Sequence, residues 1–143
     1  MTDVAPDQCV FCQIANGTAP ASIVHEDELT LAFIGLRQFH PGHTLVIPRA
    51  HFADIRELDE RTGAALMASV VKITAAVGKA FPNEGLSLWH SIGPAAFQEV
   101  PHLHIHVHPR LHGDDFLRVY PGALPTSQAH EREAYAATLR QHL

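Results

Sequence analysis

Between residues 59 and 81 the apolar side chains recur with the period of a helix. Leu66, Val70, Ile73, Val77 and Phe81 fall on one stripe, with alanines and lysines between them. Steps of three and four keep side chains on one helical face. The spacing therefore predicts one long helix from Asp59 to about Ala80, with Asp59 as its N-cap and Pro82-Asn83-Glu84-Gly85 as its stop. Elsewhere the pattern is that of strands. Ser22 to Glu26 and Leu29 to Phe33 flank Asp27-Glu28 as a hairpin. His43 to Ile47, rich in β-branched residues, is a third strand, Leu86 to His90 a fourth and His102 to His108 a fifth. Cys9 to Ile14 reads as a short helical turn, and Asn16-Gly17-Thr18-Ala19-Pro20 and Pro41-Gly42 as turns. Gly93 to Phe97 is a loop, and Ser127 to Leu143 a terminal helix capped at Thr126 or Ser127. The sum is an α+β fold of about five strands, one long helix and a C-terminal helix. Residues 1–8 form a flexible leader and residues 9–143 a single domain, without repeats or low-complexity linkers.

Composition narrows the chemistry. A chain of 143 residues, 46% hydrophobic and 17% charged, is globular and buries a core without disulfides. A formal net charge of -5 opposes broad nucleic-acid binding, which needs a basic surface, but leaves room for one small phosphorylated ligand. No apolar run approaches the roughly 18 residues of a membrane span, and Met1 to Gln8 lacks the regions of a signal peptide. The expectation is a cytoplasmic protein without membrane contact, whose cysteines are thiols or metal ligands. Histidine stands out: there are 12, against 10 lysines and arginines together.

Their placement carries the information. His102-Leu103-His104-Ile105-His106-Val107-His108 alternates without a break. On a strand this puts the imidazoles on one face, about 6–7 Å apart at their origins, and Leu103, Ile105 and Val107 on the other. Three interpretations compete: a solvated histidine face, a metal site of His102, His104 and His106, or a histidine nucleophile flanked by histidines that orient a phosphate. Neutral imidazole is both a ligand and a nucleophile. Unbroken apolar alternation opposes the first interpretation, and the third accounts best for the pattern. Cys9-x-x-Cys12 is likewise open, as a redox pair, half a zinc site, or two buried thiols.

The chain resembles the histidine-triad (HIT) superfamily. The resemblance rests on Cys9-Val10-Phe11-Cys12, Ala32-Phe33, the string Pro41-Gly42-His43-Thr44-Leu45-Val46-Ile47-Pro48-Arg49, and the string from Gln98-Glu99-Val100-Pro101 through the histidine strand to Pro109-Arg110. It runs from Cys9 to about Phe116 in the family's order. It implies a curved antiparallel sheet with a long helix packed on it, doubled across a homodimer. It also implies cleavage of a purine or related nucleotide at its α-phosphate through a nucleotidyl-histidine intermediate. Typical substrates are nucleoside phosphoramidates, adenylylated amines and dinucleoside polyphosphates.

By resemblance His104 is the nucleophile, His106 hydrogen-bonds a phosphate oxygen, Gln98 contacts the phosphate or leaving group, and His43 completes the histidine cluster. Phe33 and Gly93 belong to the substrate site, with backbone N–H groups of the Gly93–Phe97 loop as donors. A carbonyl on Nδ1 of His104 would leave Nε2 free to attack. In metal-bearing members a cysteine pair, the histidine after the Pro-Arg strand end and the first triad histidine bind a structural zinc. The matching residues are Cys9, Cys12, His51 and His102, and no organic cofactor is implied.

The sequence departs from the family pattern in places. Gly35 stands where an acidic residue or Asn usually holds the ribose hydroxyls. Ser91, Phe97 and Glu99 replace the usual Asn, Gly and Ser of the phosphate loop, and His40 and Trp89 are uncommon choices. A phosphorylase-type nucleotidyl transferase, a non-catalytic nucleotide-binding module and a hydrolase using zinc in the triad are the rival functions.

Overall fold

A computed structural model describes residues 5–116 and 120–143. The elements run α1 (Val10–Ala15), β1 (Ile23–Glu26), β2 (Thr30–Ile34), β3 (Thr44–Pro48), α2 (Glu60–Ala80), β4 (Gly85–Trp89), β5 (Ile105–Arg110) and α3 (Ala129–Arg140). Single 3-10 turns lie at Ile55–Glu57 and Pro94–Ala96. The strands form one antiparallel sheet in the order β1-β2-β3-β5-β4. Residues 5–8, read from sequence as a leader, form an exposed turn in which Ala5 O accepts from the N–H groups of Gln8 and Cys9.

Both faces of the sheet are covered, which explains why β2 and β3 read as nearly continuous apolar runs. On one face Ala32, Val46, Leu103 and Val107 pack against Leu66, Val70, Ile73 and Val77 of α2. On the other, Leu31, Phe33, Leu45 and Ile47 are covered by Cys9, Phe11, Cys12 and Ile14 at α1. Each such aliphatic side chain contributes roughly 1.5–3 kcal/mol when fully buried. The α2 start is as read from sequence, with Asp59 accepting from Thr62 N at 2.7 Å and Thr62 Oγ1 at 3.0 Å. At its end Asn83 Nδ2 donates to the carbonyls of Gly78 and Phe81, satisfying groups that Pro82 cannot reach.

Three sequence expectations change. First, β5 starts at Ile105 rather than His102, because Leu103 N donates to Phe52 O and His102 N to Val100 O instead of to a strand. Second, α3 starts at Ala129 behind Gln128, without a side-chain cap. The Arg132 guanidinium donates to both the carbonyl and the hydroxyl of Ser127, which is thereby drawn away from capping. Third, α2 is long and apolar enough, by length and mean hydropathy, to cross a membrane. Part of that apolarity is the stripe that packs on the sheet, while Met67 and Val71 stand exposed on the other face.

The Pro41-Gly42 turn carries the chain into β3. Gly42 has φ +108°, and a Cβ there would lie 2.5 Å from the Phe81 ring. Gly42→Ala combines a disfavoured backbone with a clash and should lower unfolding free energy by roughly 2–4 kcal/mol. Gly85→Ala, where an added Cβ meets nothing within 4 Å, should cost under about 1 kcal/mol. Urea denaturation of the two variants checks the contrast, and equal losses would contradict it.

Candidate active site

β5 lies between β3 and β4, with Leu45 and Trp89 opposite His106 on its two sides. The histidine side chains continue the sheet face that α1 covers. His104 is 5% exposed. Its Nδ1 donates to His102 O at 2.6 Å, so Nε2 carries the lone pair. The Phe11 ring stands edge-on to it, 5.1 Å between centroids. Burial lowers the His104 pKa below its ordinary value, against a smaller opposing effect of the His102 carbonyl. The neutral, nucleophilic form is therefore favoured at neutral pH.

His106 lies 4.9 Å from His104, centroid to centroid, so the rings converge from their strand spacing. Its imidazole lies flat on the Trp89 indole at 4.4 Å and 7°. His106 Nδ1 is 2.9 Å from His43 Nε2, and His43 Nδ1 is 3.2 Å from Arg37 O. A carbonyl only accepts, so His43 carries its proton on Nδ1, and His106 Nδ1–H donates to His43 Nε2. Burial, then the neighbouring imidazoles of His104 and His43, pushes the His106 pKa down to about 3. His43 is lowered as well, by burial first, with the Arg37 carbonyl opposing.

The loop that holds His43 is fixed by a residue that sequence reasoning passed over. Gln38 Nε2 donates to the carbonyls of Gly35 and His43, both at 2.8 Å. Its Oε1 accepts from the N–H groups of Gly42 and His43. Only the three-dimensional turn brings these groups around one amide, and no pattern along the chain signals it.

Gln98 is placed differently from a phosphate contact. It is buried, its Oε1 accepts from Gly93 N, and its Nε2 donates to the carbonyls of Ala53 and Val100. The 93–98 loop is wound on itself: Ala96 N and Gln98 N donate to Gly93 O, and Phe97 N to Pro94 O. These N–H groups, and that of Gly93, are engaged within the loop. Phe97 takes a left-handed conformation at φ 63° and stands exposed, where glycine would sit without strain. Phe33 is buried against Phe11 at 5.3 Å and belongs to the core beneath α1. Arg37 and Glu99 pair at 3.5 Å, joining the His43 loop to the Gln98 segment.

A second cluster lies behind His104. One ligand atom each from Cys9, Cys12, His51 and His102 falls within 4.8 Å of the others. Cys9 Sγ and Cys12 Sγ are each 3.4 Å from His102 Nδ1, and Cys12 Sγ is 3.3 Å from His51 Nδ1. His102 Nε2 donates to Pro48 O at 2.8 Å, which points the Nδ1 lone pair at the thiols. A tetrahedral ion with metal–sulfur and metal–nitrogen bonds of ordinary length needs such edges to be roughly 3.6 Å. The donor set therefore fits a closed cation site. Burial, then the Cys9 thiol beside it, pushes the Cys12 pKa up to about 12, a state that a cation would reverse.

The profile of the HIT domain matches residues 16–113. The chain belongs to the HIT family. Its fold is similar to that of a HIT family protein from Bacillus subtilis, at TM-score 0.87 and 32% identity over 94% of this chain and 96% of that one. It is similar as well to a Zn-bound histidine triad family protein from Mycobacterium smegmatis, at TM-score 0.70 and 34% identity over 97% and 100%. Among curated relatives, adenosine 5'-monophosphoramidase hnt1 of Schizosaccharomyces pombe is 35% identical over 102 residues, 71% of this chain and 74% of that one. HIT membership and the antiparallel α+β fold expected from the sequence are thus shown. The family includes nucleotide hydrolases, and among the sequence-derived site residues His43, His104 and His106 converge, as do Cys9, Cys12, His51 and His102, which could hold a metal ion.

Proposed function

We propose that this HIT protein hydrolyses a nucleotide at its α-phosphate through a nucleotidyl-His104 intermediate, with nucleoside phosphoramidates as the substrate class. The observation that carries this is the His104–His102 carbonyl bond, which leaves Nε2 unprotonated beside a second imidazole. The monophosphoramidase named among its relatives supports the leaving-group class. His104 Nε2 bonds to the α-phosphorus as the bond to the leaving amine breaks; the amine departs with the electron pair and takes up a proton from solvent. Water then attacks phosphorus, gives its proton to solvent and releases His104 and the nucleoside monophosphate. His106 holds a phosphate oxygen and His43 supports it. Gln98 reaches the phosphate only by exchanging one of its backbone bonds, and otherwise braces the loop.

With adenosine 5'-phosphoramidate as substrate, His104→Ala should fold normally and raise the barrier by on the order of 4–8 kcal/mol. Because burial disfavours the His104 imidazolium, the neutral nucleophile persists as pH falls. kcat/KM should accordingly be retained at pH 6, below the ordinary imidazole value of about 6.5. Turnover above a tenth of wild type in His104→Ala would remove the nucleophile assignment, and a decline centred above pH 6.5 would contradict the pH argument.

Cys9, Cys12, His51 and His102 hold a structural zinc in this proposal. The cluster ties α1 to the segments that follow β3 and precede β5, and no chemical step passes through it. The buried free thiols suit a reducing compartment such as the cytoplasm. Cys9→Ser should lose the metal and lower the melting temperature, while its folded fraction keeps turnover. Elemental analysis beside calorimetry tests this. Metal retained in Cys9→Ser but lost in His104→Ala would place the ion in the triad instead.

The protein is proposed to act as a homodimer. Met67 and Val71 on the outer face of α2 and Leu88 on edge strand β4 are exposed apolar side chains suited to a two-fold contact. Light scattering at micromolar concentration should give twice the 15.6 kDa chain mass. The mass of a single chain would refute the dimer.

A further inference from the structure

The most unusual contact in the site is the indole under the histidine pair. Trp89 and His106 are paired across β4 and β5, and their rings are nearly parallel at 4.4 Å. His43 lies alongside, 22° from the plane of His106 and 27° from that of Trp89. The hydrogen-bonded His43–His106 pair therefore lies on one aromatic face. The hydrogen-bond chain then poses a problem for anion binding. Arg37 O orients the His43 proton to Nδ1, and His43 Nε2 takes the His106 Nδ1 proton. A neutral His106 is left with a lone pair on Nε2, which repels a phosphate oxygen instead of donating to it.

We propose that Trp89 is a positioning residue for the phosphate-binding histidine: its indole holds the His43–His106 pair flat and supports the singly protonated pair, so that a bound phosphate draws one proton onto it. This rests on the function proposed above. The added proton, taken from solvent, sits on His106 Nε2 and donates to the phosphate oxygen. The resulting imidazolium then lies over the face of an indole, where the ring quadrupole favours a cation. The titratable groups facing the pair are imidazoles: His104 just before β5, His108 of β5 and His90 beyond β4, with His40 behind His108. The Glu99 carboxylate reaches His104, and Asp114 is bound to His40 and Arg110. With imidazoles around it, the pair stays neutral until an anion arrives. Protons shared across coupled sites belong to the pair rather than to either ring.

Calorimetric titration of AMP at pH 8, in buffers of different ionisation heat, tests this. A phosphomonoester is already a dianion at that pH, so proton release from the ligand cannot mask the uptake, and loss of the uptake in the position-89 variant ties it to the histidine pair. Wild type should take up a measurable fraction of a proton per site. Trp89→Leu should take up less than half of that and bind at least fivefold more weakly, and Trp89→Phe should restore both. Trp89 is the sole tryptophan, so its emission gives a measurement that needs no variant at position 89. Inorganic phosphate, which has no base to stack, should quench it at pH 8, and the quench should vanish in His106→Gln. AMP binding without proton uptake, or Trp89→Leu matching wild type, overturns this inference and leaves the hydrolase proposal standing. Failure of AMP to bind at all removes both.

Discussion

The site depends on one repeated interaction, an imidazole N–H donated to a backbone carbonyl. His102 uses Pro48, His104 uses the carbonyl of His102, His108 uses Pro109, and His43 uses Arg37. A buried imidazole without such a partner would lose hydration without compensation. Each bond also decides which nitrogen holds the proton, and hence which holds the lone pair. Orientation and chemistry are thus set by the same contact. The burial that makes these bonds necessary also keeps the rings neutral, through the lowered pKa values of His102, His104, His106 and His108.

From this follows a division of the strand face. His102 turns its lone pair toward Cys9 and Cys12, and His104 keeps its own for the site. Phe11, between the cysteines in sequence, meets both rings edge-on. Helix α1 therefore touches the Cys/His cluster and the nucleophile candidate through one short segment. Displacing α1 would uncover the face on which Leu31, Phe33, Leu45 and Ile47 pack, as well as the histidines.

Two glutamines do matching work on the loops. Gln38 binds together residues 35, 42 and 43, and Gln98 joins Gly93 to Ala53 and Val100. Each amide answers backbone groups of its loop, Gln98 from a buried position and Gln38 from an exposed one. Trp89 gives the third support, from the edge strand, and it does so by ring contact instead of a hydrogen bond.

Much of this was legible in the sequence, because periodicity and spacing are local. The stripe from Leu66 to Phe81 determined α2, alternation separated the histidines from Leu103 and Val107, and Asp59 marked a helix start. The resemblance named the Cys/His quartet, which tertiary structure then brought within 4.8 Å. What sequence could not determine is where a side chain's hydrogen bonds go once distant segments meet. That the Gln98 amide is held by Gly93, Ala53 and Val100, and that α1 covers Phe33, follows only from the tertiary structure. Trp89 was only an uncommon residue until strand register laid it against His106. Identity and period belong to the chain, but tautomer, ring stacking and amide satisfaction are decided by partners distant along it, 63 residues away in the case of His43 and His106.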